Sequence, residues 1–375
     1  MSLTGTPLQV LLALIALAAL AGTVWFMPRA RRVVSQVGLL LACQVFALLA
    51  LATYINAYFD FYHSWGDLTG TGGAPTVPVA AAPAARADGE AGAPMNFPPA
   101  VFPVRDGFLG GQKLPPGEGG YQSILIRGAR SGITTPAYVY LPPQYAAEPK
   151  HRFPVVVAMT GYPGNAKNLI TQMRIPQTAA DAIATHRIQP MIIVMLRPML
   201  TPPRDTECTD VPGPRGPQAD MFFGQDLPLA IASAYRTAPG PAGWSLLGDS
   251  TGGYCSVKIA MRHSDRYGAA VSLSGYFNSL KDLTTGDLYG NSKAIRADND
   301  LMWRVRHLPP PPVNVLLTTA KIGEHNYRAV QQFSTLARYP LQVSTMVLPS
   351  GGHHFSVWRA ELPGSFDWLS QVLKP

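Results

Sequence analysis

The chain has 375 residues, enough for one large domain with extras or for two domains. Only 14 % of them are charged while 47 % are apolar, a balance that assigns part of the chain to lipid. The formal net charge is +8, but apart from Arg29, Arg31 and Arg32 the positive residues are scattered, which excludes the basic stripe of a nucleic-acid groove. The 36 Pro and 35 Gly follow no G-X-Y period, which excludes collagen.

Two uncharged apolar runs open the chain. Pro7 to Met27 is long enough to cross the ~30 Å hydrocarbon core of a bilayer. Val33 or Val34 to about Phe59 forms the second run, and Pro28-Arg-Ala-Arg-Arg32 joins them. The positive-inside rule puts that connector in the cytoplasm, and so puts the N-terminus and everything after Phe59 outside. The rival reading is a cleaved signal peptide, but the first run has no basic residues before it and a second run follows at once. Tyr58 to Trp65 is aromatic, as befits a segment leaving the membrane. Gly70 to Pro94 is mostly Gly, Ala, Pro, Thr and Val, too poor in apolar bulk to fold, and reads as a flexible tether. The expected division is 1–60 for two transmembrane helices with a short cytoplasmic loop, 61–100 for a juxtamembrane segment and linker, and 101–375 for an extracytoplasmic globular domain in a multi-pass protein.

From about Tyr121 short apolar strands alternate with helical stretches. Candidate strands are Ser123–Ile126, Ala137–Leu141, Val155–Met159, Met191–Leu196, Trp244–Leu247, Ala269–Ser274, Val313–Thr319 and Ser344–Leu348. The segments with helical character are Ala166–Arg174, Gln177–His186, Gln225–Arg236, Gly252–His263, Asn326–Arg338 and Ser356–Val372. The first two strands have no helix between them and start the sheet antiparallel. The remainder predict a mostly parallel, eight-stranded α/β sheet with helices on both faces.

Gly248-Asp-Ser-Thr-Gly252, followed by Gly253, matches G-x-S-x-G directly between a strand and a helical stretch. That context is the strained strand-to-helix turn of a nucleophile, so Ser250 is the expected nucleophile and Asp249 a spacer. The helix start favours an oxyanion, which makes the Thr251 N–H the first expected donor. The second is expected from Thr160-Gly-Tyr-Pro-Gly164 after Val155–Met159, where Tyr162 has an N–H and Pro163 has none. Chain order in such enzymes is Ser, acid, His. Gly351-Gly-His-His-Phe355 follows the last strand and offers His353 and His354, with His353 preferred as base. Glu324 is the carboxylate after Val313–Thr319 and is the expected acid; Asp282, Asp287, Asp298 and Asp300 are its rivals.

These residues resemble the esterase D-like branch of the α/β hydrolases, which includes feruloyl esterases and the mycolyltransferases of actinobacterial envelopes. The resemblance runs from about Tyr121 to the C-terminus. Its most specific pieces are Gly248–Gly253 and Gly351-Gly-His-His-Phe-Ser-Val-Trp358, since the family has Gly-x-His followed five residues later by Trp. It supports His353 over His354, and Tyr162 as the second donor. Where the family has Asp-Gly, however, this chain has Thr160-Gly161. The implied fold is an α/β hydrolase, and the implied activity is ester cleavage through an acyl-serine, with acyl transfer to envelope sugars or lipids as the alternative. A non-catalytic envelope-binding protein with a hydrolase fold is a further alternative, opposed by the presence of all three triad members in order.

Of three cysteines, Cys43 lies in an apolar run, and Cys208 and Cys255 belong to the globular part. Cys208 sits in the Pro-rich loop Thr201–Pro217 and Cys255 just over one helical turn past Ser250; outside the cell the two are expected to pair. No C-x-x-C pair or Cys/His cluster suggests a metal, and no cofactor is implied. The expected partners are an ester or acyl-lipid substrate and the bilayer, without nucleic acid.

Overall fold

The computed structural model describes residues 3, 5–59, 65, 100–110, 114, 117–201, 204–278, 280–281 and 283–375. The chain divides into two compact units, Met1–Thr76 and Val77–Pro375. The tether expected over 61–100 lies outside the described residues, apart from Trp65 and Ala100.

In the first unit, helices Thr6–Phe26 and Val33–Phe59 are joined through the short turn Met27–Arg29. Pro7 stands in the first helix's opening turn, where its missing N–H costs nothing. Leu14, Leu17, Leu20, Leu48 and Leu51 point outward with no protein covering them. The Thr23 hydroxyl donates to Ala19 O within its own helix and lies 3.3 Å from Leu39 O of the other. A polar group is thereby satisfied without water, as a hydrocarbon surrounding demands. Length and composition fit either two membrane spans or a signal sequence.

The second unit is built on a nine-stranded sheet. Its strands are β1 Ala100–Pro103, β2 Gly120–Arg127, β3 Thr134–Leu141, β4 Val155–Met159, β5 Ile192–Leu196, β6 Trp244–Asp249, β7 Ala269–Leu273, β8 Asn314–Ala320 and β9 Gln342–Leu348. Their order is β1-β2-β3-β5-β4-β6-β7-β8-β9. β1, β2, β3 and β5 pair antiparallel, and all pairs from β5 to β9 are parallel. In β4 every residue is buried: Val155, Val157 and Met159 join one core, and Val156 and Ala158 the other. A strand covered on both faces reads as a continuous apolar run, which is why its bounds are those expected from sequence.

Helices Ile175–Ala184 and Phe355–Val372 cover the face of Val156, while Leu227–Ala234, Thr251–Arg262, Leu301–His307 and Tyr327–Leu336 cover the other. The expected count of eight strands is corrected to nine by β1, which pairs Ala100 with Arg127 and Pro103 with Ile124. Its four residues end in Pro and show no alternation, so only its place at the sheet edge makes it a strand. Helices Lys293–Asp298 and Leu301–His307 also go beyond expectation. Each starts at a side-chain cap, Ser292 accepting from Ile295 N–H and Asp300 from Trp303 N–H. Cys208 and Cys255 form a disulfide, tying the loop after β5 to the helix that starts beyond Ser250.

Candidate active site

The chain passes from β4 outward to β5 and returns to the opposite side of β4 as β6, so the connections diverge between β4 and β6. A crevice at the carboxyl ends of such strands is where open α/β sheets bind ligands. Here those ends carry Thr160–Gly164 and Ser250. Ser250 has φ +52°, in the region that favours glycine, and the helix Thr251–Arg262 starts at the next residue.

The flanking glycines have a steric cause. A Cβ on Gly252 would lie 2.3 Å from Met159 O, and one on Gly248 2.4 Å from the Gly252 carbonyl. A Cβ on Gly161 would lie 2.9 Å from the Cβ of Ser250. The Gly161 N–H donates to Asp249 Oδ2 at 2.9 Å, so the carboxylate beside the elbow holds the β4 loop against it. Asp249 Oδ1 has no hydrogen-bond partner among the described residues. Burial pushes this carboxyl up to about 7 against the opposing effects of Gly161 N–H and His353.

His353 Nε2 lies 2.9 Å from Ser250 Oγ. His353 Nδ1 faces Glu324 Oε2 at 3.7 Å, an ion-pair distance longer than a hydrogen bond. Trp358, one turn into the last helix, packs edge-to-face on the His353 ring with centroids 4.9 Å apart. Ser274, at φ +53° just after β7, donates its hydroxyl to Glu324 Oε1 at 2.7 Å. Burial pushes Glu324 up, but His353 and the Ser274 hydroxyl outweigh it and hold the carboxyl below its usual range. Glu361 is buried nearby, accepts from the Thr318 hydroxyl at 2.7 Å, and leaves Oε1 unpartnered among the described residues. Burial and the charge of Glu324 push it up to about 7, with Thr318 opposing.

Behind the elbow, the Tyr276 hydroxyl lies 3.2 Å from Thr251 Oγ1 and 2.8 Å from Glu207 Oε1. The Leu280 N–H also donates to Glu207, at 3.0 and 3.1 Å. Lys258, fully buried, donates to Glu207 O, to Thr209 Oγ1 and to Asn299 Oδ1, so each of its three N–H bonds has an acceptor. Burial raises Glu207 and lowers Lys258.

Five residues named from sequence thus meet at one edge: Ser250 and Thr251 on the elbow, Tyr162 next to Gly161, and His353 and Glu324 on neighbouring loops. His354 turns away and lies 2.8 Å from Ser356 Oγ. The rival acids are elsewhere: Asp287 accepts from Tyr289 N–H, Asp298 pairs with Arg262 and Arg304, Asp300 caps a helix, and Asp282 lies outside the described residues. Sequence reasoning missed Ser274, Glu207 and Glu361, and read Asp249 as a spacer. Only Asp249 carried a signal, a carboxylate inside an otherwise small-residue motif. Among the described residues no group of three His, Cys, Asp or Glu side chains could hold a metal.

Comparison with known proteins gives the family and the fold. The family described as "Putative esterase" matches residues 129–369. The chain belongs to that esterase family. A ferulic acid esterase structure is 16 % identical with a TM-score of 0.58, covering 69 % of this chain and 100 % of its own. An S-formylglutathione hydrolase from Agrobacterium tumefaciens is 14 % identical with a TM-score of 0.58, covering 70 % of this chain and 98 % of its own. At such identities the likeness shows the α/β-hydrolase fold. An uncharacterized protein of Corynebacterium glutamicum is 27 % identical over 245 residues, 63 % of this chain and 57 % of that protein. The MPT51/MPB51 antigen of Mycobacterium bovis is 32 % identical over 87 residues, 23 % of this chain and 28 % of the antigen. The chain therefore spans about half, or less, of the curated relatives it matches.

The Asp249 carboxyl gives a pH-dependent prediction. Its folded value, about 7, lies above the ordinary 3.8, so the folded chain keeps a proton that the unfolded chain releases near pH 4. Its contribution to stability is complete below about pH 4 and is lost as pH rises to about 7. Asp249→Asn keeps an oxygen for Gly161 N–H but has no proton to lose. Its thermal midpoint should therefore gain on the parent between pH 4.5 and 7 and hold a constant lead above that. A difference that does not change across this window would contradict the assignment.

Proposed function

We propose that the protein is a serine hydrolase of carboxylic esters that works through an acyl-Ser250 intermediate. The observation that carries this reading is the 2.9 Å approach of His353 Nε2 to Ser250 Oγ on a strained strand-to-helix turn. Ser250 Oγ attacks the ester carbonyl while His353 Nε2 takes its proton and then gives it to the departing alcohol. Glu324, kept ionised by the Ser274 hydroxyl and His353, stabilises the imidazolium that forms. The oxyanion is met by the N–H groups of Thr251, at the positive end of the helix dipole, and of Tyr162. Water activated by His353 then attacks the acyl carbon and releases Ser250.

Transfer of the acyl group to a sugar or lipid hydroxyl is the second reading. It is favoured by the resemblance to the esterase D-like branch, which includes the mycolyltransferases, and opposed by Thr160, which stands before Gly161 where the family has Asp. In either reading helices Thr6–Phe26 and Val33–Phe59 are membrane spans, and the hydrolase unit works on the outer side of the cytoplasmic membrane. The arginines between the helices support that orientation, and the Cys208–Cys255 disulfide suits an oxidising compartment.

Ser250→Ala and His353→Ala should each lower p-nitrophenyl butyrate turnover roughly 10⁵–10⁶-fold, and Glu324→Ala about 10⁴-fold. The double variant of Ser250 and His353 should be little worse than either single one, because the pair acts as a unit. Near-parental turnover in Ser250→Ala would sink the assignment. The same assay with excess trehalose separates the two readings, since a saturable rise in acylated sugar means transfer and free acid alone means hydrolysis. For the topology, a reporter after Pro375 should be active only outside the cytoplasm, and one near Arg31 only inside it. The reverse pattern refutes the orientation.

A further inference from the structure

After β7 the chain turns through Ser274, Gly275 and Tyr276, between the loop that carries Glu324 and the helix that starts after Ser250. Towards the loop, the Ser274 hydroxyl donates to Glu324, and the Asn326 side chain donates to Gly275 O at 3.0 Å. Towards the helix, Gly275 runs against the first turn. A Cβ on it would lie 2.7 Å from Tyr254 N and 2.8 Å from the Gly253 carbonyl carbon. Tyr276 follows, its ring stacked on Tyr254 with centroids 4.9 Å apart. Its hydroxyl lies between Thr251 Oγ1, at 3.2 Å, and Glu207 Oε1, at 2.8 Å. One short turn therefore touches the expected acid on one side and the residue after the expected nucleophile on the other.

The far end of this contact is also fixed. Glu207 and Cys208 both have a positive φ, +45° and +54°, which residues with a Cβ rarely adopt. The helix Thr251–Arg262 grips that segment, since Cys255 is bonded to Cys208 and Lys258 donates to Glu207 O and Thr209 Oγ1. The Glu207 carboxylate receives the Leu280 N–H and faces Tyr276. A phenol has one hydrogen to give. An ionised Glu207 takes it, and the Tyr276 oxygen then accepts from the Thr251 hydroxyl. A protonated Glu207 donates to Tyr276 instead, and Tyr276 donates to Thr251. In both states one hydrogen lies between Tyr276 and Thr251.

We infer that Tyr276, oriented by Glu207, is a positioning residue for ester cleavage: it holds the Thr251 side chain and so aims the backbone N–H that meets the oxyanion. The inference rests on the ester-hydrolase reading of Ser250 and Thr251. An oxyanion donor acts only if it is held where the negative charge develops, and losing one costs about 10²–10³ in turnover. A donor that is present but less firmly held loses part of that. Because the stabilisation belongs to the transition state, kcat falls and KM does not change.

The test is a double-mutant cycle on the full chain in detergent, with p-nitrophenyl butyrate as substrate and the thermal midpoint measured to confirm folding. Tyr276→Phe and Thr251→Val each remove one hydroxyl of the contact and keep the Thr251 N–H. Each should lower kcat roughly tenfold with KM within about twofold, and the double variant should be no worse than the poorer single one. An active parent whose kcat is unchanged in Tyr276→Phe would overturn the inference. So would losses that multiply in the double variant, which is the behaviour of two independent structural defects. Hydrogen–deuterium exchange over residues 249–254 reads the contact without turnover. Faster exchange there in Tyr276→Phe supports the brace, and unchanged exchange refutes it. A parent without ester turnover would defeat the hydrolase reading alone, and the exchange result would then decide the brace.

Discussion

At the carboxyl ends of β4 and β6 the backbones of Met159–Gly161 and Gly248–Gly252 run closer together than side chains would permit. Added Cβ atoms at Gly248, Gly252 or Gly161 would fall inside 3 Å of neighbouring atoms. This crowding requires glycine on both sides of Ser250, and it accompanies the sharp elbow on which Ser250 adopts a positive φ. It also brings the β4 loop within reach of Asp249, whose carboxylate fastens the Gly161 N–H. The loop preceding Tyr162 and the turn bearing Ser250 are therefore one mechanical unit. A change at either strand end displaces both the nucleophile and the proposed oxyanion donors.

Around this unit four carboxyl groups are buried with different consequences. Glu324 has the Ser274 hydroxyl and the His353 ring beside it, and they hold it below the ordinary range despite burial. Asp249, Glu207 and Glu361 have donors too, but burial outweighs them and pushes each up to about 7. Desolvation favours the protonated acid, and only donors or positive charge in sufficient number reverse it. The group next to the histidine is thus the one equipped to stay charged, which is the condition the proposed mechanism sets. Ser274 adds to the effect of His353 by donating its hydroxyl to Glu324.

The parallel half of the sheet was legible because its strands are covered on both faces and read as unbroken apolar runs, as β4 does from Val155 to Met159. The turn around Ser250 was legible because close backbone approach leaves a glycine signature, and the Gly-x-His spacing before Trp358 through the family resemblance, where the structure packs Trp358 on the imidazole. β1 was not legible, since Ala100–Pro103 is a strand only through its pairing with β2. Ser274, Glu207 and Glu361 were hidden for a related reason. Each acquires its partner from an element distant in sequence, and no local pattern encodes a contact such as Ser274 to Glu324. The helices between β7 and β8 announced themselves only by single caps at Ser292 and Asp300, easily read as ordinary loop residues.

The central claim is that Ser250 is an activated nucleophile, and covalent labelling addresses it without any assumption about substrate. The full chain in detergent is treated with a fluorophosphonate, which phosphonylates a serine hydroxyl activated by a neighbouring base, and the modified peptide is located by mass spectrometry. The account predicts a single adduct on Ser250 that forms rapidly in the parent and at a rate lower by several orders of magnitude in His353→Ala. An adduct on another residue, or labelling of Ser250 that is equally fast without His353, would contradict it.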